Sequence, residues 1–161
     1  MPRLKGPTCE HGTVLDIQHT RSQKPSDCLA VCTGMVLKYY GVETSLPDTA
    51  LPLELISLSH RLNATGPVDH EGHVLFATVL ELTPEEMAGQ LTKMRPLIVA
   101  FKPSAREEYH SVVVSGYCME RGRFFVNDPA RSKPSWKKLS RFPTYADSGK
   151  YLVMLIGLRE K

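Results

Sequence analysis

The hydrophobic period changes once along this chain. After residue 95 the apolar residues fall into dense β-branched and aromatic runs: "PLIVAF" (96–101), "HSVVVSGY" (110–117), "RFFVND" (123–128) and "YLVMLIGL" (151–158). Pro, Gly and charged residues separate them, which is the pattern of short strands in a buried sheet. Before that point most apolar residues recur at helical spacing. Helices first and strands afterwards imply an α+β fold with an antiparallel sheet. "CMERG" (118–122) has the length of a hairpin connection, so the strands on either side of it should pair directly.

Within the earlier half, "SDCLAVCTGMVLKYYG" (26–41) reads as a helix. Ser26 or Asp27 can cap it, Leu29, Cys32, Val36 and Leu37 form its apolar stripe, and Gly41 marks its stop. "LPLELISLSHRL" (51–62) is a second amphipathic helix. "TPEEMAGQLTKM" (83–94) is a third, with Thr83 as cap, Pro84 at the first helical position and acids in the first turn. "TVLDIQH" (13–19) alternates as a short strand, whereas "HVLFATVLEL" (73–82) fits either strand or helix. With 161 residues and neither repeats nor low-complexity segments, a single domain over 1–161 is expected, residues 1–17 being an N-terminal extension.

A net charge of +3 is too mild to call for a nucleic-acid partner. The charge is uneven: residues 42–95 carry eight acids against three bases, and 121–141 carry seven bases with Asp128 as their one acid. The basic stretch reads as a solvated edge, and Trp136 within it as a surface or lid anchor. "MPRLKGPTCEHG" lacks the apolar run of a secretion signal, and no later stretch reaches the roughly twenty apolar residues of a membrane span. Cys9, Cys28, Cys32 and Cys118 are then expected as free thiols in a reducing compartment. The chain should be cytoplasmic, or exported by a dedicated machinery that needs no signal peptide. Cys28 and Cys32 stand one helical turn apart, a poor geometry for bridging each other. The pairs Cys9-x-His11 and His70-x-x-His73 match no familiar zinc spacing, and no cofactor or metal is implied.

A cysteine in a helix is most often a small buried hydrophobe, and Cys32, one turn inside, fits that description. Cys28 differs by position. It lies in the first helical turn, where unpaired N–H groups favour a thiolate. An imidazole alongside would stabilise the thiolate and later protonate a leaving group. His110 suits that role, since it opens a strand that fixes its direction. Folding the 118–122 hairpin brings the partner of His110 to 128–132, so Asp128 falls opposite or on a near diagonal, where it can orient the imidazole. Gln23 would offer a side-chain amide to a developing oxyanion, together with the Cys28 backbone N–H.

In this order Gln23, Asp27-Cys28, Cys32, Met35 and Tyr39-Tyr40-Gly41, followed by His110-Ser-Val-Val-Val and Asp128-Pro129, resemble the papain-like cysteine peptidases. The likeness is greatest to the bacteriocin-processing (double-glycine leader) peptidases and their stand-alone relatives, and it spans about residues 18–158. Two positions depart from that family: Leu29 follows the cysteine where Gly is usual, and Gln23 stands one position closer to it. The resemblance implies a papain-like fold, a peptide or protein substrate and amide hydrolysis through Cys28, His110, Asp128 and Gln23. Glutamine deamidation on the same machinery, or a silent papain-like domain that only binds peptide, remain alternatives.

Overall fold

A computed structural model describes residues 12–23, 27–42, 55–69, 71–102, 109–144 and 149–159. Ten elements follow in order: β1 (Thr13–Val14), α1 (Cys28–Tyr39), α2 (Leu55–Thr65), β2 (Val74–Leu82), α3 (Pro84–Thr92), β3 (Leu97–Phe101), β4 (His110–Cys118), β5 (Arg123–Asn127), β6 (Ser135–Lys138) and β7 (Tyr151–Arg159). The strands form one antiparallel sheet ordered β2-β7-β3-β4-β5-β6, with β1 added to β4. The fold is α+β, as the change of period implies.

Side-chain alternation divides the interior into two cores. Ile98 and Ala100 of β3, Val113 of β4, and Met154 and Ile156 of β7 pack with Leu29, Cys32, Met35 and Val36 of α1 and with Leu58 and Leu62 of α2. The alternate residues Leu97, Val99, Val112, Val114, Val153 and Leu155 pack with Met87 and Leu91 of α3 and with Phe124 and Val126 of β5. Strands covered on both faces need apolar residues at every position. That is why β3, β4 and β7 read as continuous runs.

Local chemistry sets the helix ends. Thr83 accepts the Glu86 N–H, and the Glu86 carboxylate accepts the Thr83 N–H, so α3 begins in a capping box with Pro84 behind it. Gly41 sits at φ 70° beyond α1, and the Val42 N–H closes back on the Leu37 carbonyl at 2.9 Å. The N-terminal cap differs from expectation. Ser26 lies outside the described residues, and Asp27 makes no capping bond because its φ −93°, ψ 0° is helical, not the extended geometry a capping side chain needs.

Three further expectations change. The 13–19 strand stops at Val14, because the next places along β4 are already taken: Val114 pairs with Leu97 of β3. The ambiguous 73–82 run is a strand, paired with β7 over nine residues. Finally, Cys28 and Cys32 are free, but Cys118 is disulfide-bonded, to a partner outside the described residues, so the expectation of four free thiols fails there. Pairing of Thr13 with Tyr117 sets the start of β1 beside the end of β4, a proximity that sequence separation conceals. Among the described residues no helix is long and apolar enough to cross a membrane.

Candidate active site

Helix α1 points its first residue at the start of β4. The contact follows from packing: Cys32, one turn on, is fully buried and donates its S–H to the Ser111 carbonyl at 3.3 Å. This bond sets the helix against the strand one residue past His110. Cys28, 8% exposed, is thereby set beside the His110 side chain, which acts to lower its thiol. His110 Nε2 donates to Asp128 Oδ1 at 2.8 Å, which leaves Nδ1 as the ring nitrogen for Cys28.

Asp128 sits just past the end of β5, at the head of a tight turn. The Arg131 N–H donates to the Asp128 carbonyl at 2.9 Å, Pro129 occupies the second turn position, and the Ala130 N–H donates to Asp128 Oδ1 at 2.9 Å. A single carboxylate oxygen therefore serves both the turn and the imidazole. Register places the pair as anticipated: Val113 pairs with Asn127, so Asp128 lies on the near diagonal from His110.

The three groups move one another's protonation in consistent directions. Burial pushes the Cys28 thiol up. Hydrogen bonds from His110 and from the backbones of Ser111 and Leu29, with the His110 charge, outweigh that and leave it below its ordinary value. The Asp128 and Cys28 hydrogen bonds hold the His110 imidazolium, raising its pKa to about 9 against the opposing effect of burial. Asp128 is raised by burial and lowered by more through its bonds to His110 and the Ala130 N–H, ending below the usual carboxylate range. Cys32 goes the other way: full burial, with the Cys28 and Asp128 charges nearby, raises it well above an ordinary thiol. The two thiols are thus driven in opposite directions, Cys28 toward the thiolate and Cys32 away from it.

Gln23 is exposed on the 18–23 loop and makes no hydrogen bond to the other three among the described residues. Its neighbour Ser22 donates its backbone N–H to the Pro129 carbonyl at 2.8 Å, which holds the loop beside the Asp128 turn. Leu29, the departure next to the cysteine, is 4% exposed and points into the α1 core, leaving the approach to Cys28 clear of its side chain. His73 Nδ1 is paired with Asp69 Oδ2 at 2.9 Å, while Cys9, His11 and His70 lie outside the described residues.

Sequence reasoning missed two features of the site. Phe101 meets the His110 ring edge-on at 5.6 Å and packs in turn on Phe142, giving the imidazole an aromatic wall. Since Phe101 pairs with His110 in register, the wall was detectable once β3 and β4 had been aligned. The second feature is a polar network of His19, Asn127 and Ser115 behind the Asp128 turn, for which the sequence carried no signal.

An α+β domain with a thiol at a helix start, facing an imidazole and a carboxylate on an antiparallel sheet, has the architecture of the papain-like cysteine peptidases. Residues 14–153 match the Peptidase_C39 like family, and the chain belongs to that family. Among solved structures it is similar to the peptidase domain of Streptococcus ComA, a bi-functional ABC transporter involved in a quorum-sensing pathway. The two share 14% identity at a TM-score of 0.56, over 90% of this chain and 99% of that one. At that identity the likeness speaks to the fold. No curated protein matches the sequence.

Proposed function

We propose that this protein is a cysteine peptidase that hydrolyses an amide bond of a peptide or protein through Cys28, His110 and Asp128. The observation that carries this reading is the 2.8 Å bond from His110 to Asp128 with Cys28 set beside the same ring, the thiol lowered and the imidazole raised to about 9. Near neutral pH such a pair rests as thiolate and imidazolium.

Cys28 attacks the amide carbonyl, forming an S–C bond and placing charge on the carbonyl oxygen. The Cys28 backbone N–H and the Gln23 side-chain amide are the donors for that oxygen. His110 gives its Nδ1 proton to the departing amine as the C–N bond breaks, leaving a thioester. The neutral imidazole then takes a proton from water, hydroxide adds to the thioester, and the C–S bond breaks to return the thiolate. Asp128 holds the ring in plane and stabilises its charged form throughout. No step calls for a cofactor. The disulfide at Cys118 favours a working place outside a reducing cytoplasm.

The test is a peptide library incubated with wild-type protein and with Cys28→Ala and read by mass spectrometry. New termini that appear with wild type alone support the peptidase. A mass gain of one unit at glutamine with released ammonia, and no new termini, would replace it with a deamidase. Binding without any covalent change would leave a silent peptide-binding domain.

A further inference from the structure

The loop that carries Gln23 and the turn that carries Asp128 are tied together behind the reacting groups, and the tie centres on His19. Its Nε2 bonds the Arg131 carbonyl, the last residue of the Asp128 turn, at 2.7 Å. A carbonyl only accepts, so the proton is on Nε2 and Nδ1 is free to accept. It does so from the Asn127 side-chain N–H at 3.4 Å. Asn127 is 1% exposed, and its Oδ1 accepts the Ser115 hydroxyl at 2.7 Å. Ser115 is the extra residue of a β-bulge: Val114 pairs with Val126 and Gly116 with Phe125, so Ser115 has no ladder partner on β5. Bulges beside functional sites redirect a side chain, and this one turns Ser115 toward Asn127. Three polar groups are therefore buried or half-buried in a row leading from β4 to the loop. A buried polar row with matched donors and acceptors favours one arrangement of the chain.

Besides His19, the Ser22 N–H bonds the Pro129 carbonyl and the Thr20 N–H reaches the Met35 sulfur at 3.4 Å, while Ile17 packs on the cores at the start of the loop. Gln23 itself is exposed.

We propose that His19 is a positioning residue which fastens the Gln23 loop to the turn after Asp128, holding the oxyanion donor and the imidazole's acceptor in one frame. It rests on the hydrolase reading, and it assigns to His19 no contact with substrate. Its consequence is selective. Loss of the tie should loosen the oxyanion donor and leave the Cys28–His110 pair, held by α1 and β4, in place.

Two reactions of Cys28 separate these effects. Alkylation by iodoacetamide needs the thiolate but develops no carbonyl oxyanion. Capture of a peptide aldehyde forms an S–C bond and places the former carbonyl oxygen where the oxyanion donors point. The test compares wild type, His19→Leu, His19→Phe and His19→Gln for alkylation at pH 6 and for affinity toward a panel of tripeptide aldehydes. Leu and Phe fill the space without either bond. Gln can donate to the Arg131 carbonyl and accept from Asn127. The expected result is that whichever apolar variant folds binds aldehyde roughly tenfold to a hundredfold more weakly, alkylates within about twofold of wild type, and is largely rescued by Gln. Unchanged aldehyde affinity, an equal fall in both reactions, or no advantage of Gln over Leu would overturn the proposal. Wild type that alkylates rapidly yet captures none of the aldehydes would instead overturn the hydrolase reading.

Discussion

Replacing Asp128 with Asn removes one charge and little else. An amide oxygen still accepts from the His110 Nε2–H at the 2.8 Å contact and from the Ala130 N–H that shapes the turn. What goes is the largest influence on His110, whose pKa rises from 6.5 to about 9 first through Asp128 and then through Cys28. At about 1.4 kcal/mol per unit that whole rise is on the order of 3 kcal/mol. The two side chains are 22% and 18% exposed, so screening by solvent is modest. Assigning Asp128 somewhat more than half gives about 2 kcal/mol. The sign follows from the direction of the shift. A raised imidazole pKa stabilises the folded state fully below its unfolded value of 6.5, and that contribution is lost as pH climbs through about 9. Asp128→Asn should therefore unfold at lower urea than wild type at pH 6, and the gap should narrow by pH 10. NMR titration of the His110 ring should show its midpoint fall by roughly one unit or more. The alkaline limb of kcat/KM should fall with it, since that limb reports loss of the proton owed to the leaving amine. Asp128→Ala should lower kcat further than Asn, because the Nε2–H then has no partner. A His110 midpoint and an alkaline limb that stay in place in the Asn variant, with melting temperature alone affected, would reduce Asp128 to a turn residue.

Cys28 should be the thiol that iodoacetamide modifies first at pH 6, Cys32 should label only on unfolding, and Cys118 only after reduction; His110→Ala should slow the Cys28 reaction strongly. Equal labelling of Cys28 and Cys32, followed by peptide mass mapping, would refute the ion pair. Cys32→Ser should retain turnover while losing about 1–3 kcal/mol of stability in urea, since a polar hydroxyl replaces a fully buried sulfur but can still reach the Ser111 carbonyl. Met94 holds a left-handed φ of 64° just past the end of α3 and its side chain is exposed, so Met94→Gly should raise stability by up to about 1 kcal/mol in the same assay.

Most of the fold was legible because its signals are local. The capping box at Thr83, the stop at Gly41 and the two-face burial of β3, β4 and β7 each leave a mark within a few residues. The Cys28–His110–Asp128 grouping was legible for a related reason: a hairpin of countable length joins the last two, and a helix start marks the first. What escaped depends on contacts between distant segments. β6 lies inside the stretch read as a solvated basic edge, because Lys137 and Lys138 lie on an edge strand, where lysine guards against pairing with other chains. The short reach of β1 depended on β3 already holding the next place on β4. The Cys118 disulfide left no local mark in the sequence.

The same division explains how the site keeps its geometry. Neither Cys28 nor His110 is placed by its own hydrogen bonds. Cys28 is set by α1, whose Leu29, Cys32 and Val36 are locked into the first core, and His110 by β4, whose Val112 and Val114 are locked into the second. Buried apolar side chains of this kind contribute about 1.5–3 kcal/mol each, so each backbone is fixed by several residues that take no part in the chemistry. The bond from His110 to Asp128 and the approach of Cys28 to the same ring then form between groups already within reach. Their free energy is left to shift protonation, lowering the thiol and raising the imidazole, with little needed to order the chain. Gln23 is the exception, sitting on a loop with no apolar anchor of its own among residues 18–23. A donor so placed depends on polar ties, and those ties run through Ser22 and His19 to the turn of Asp128.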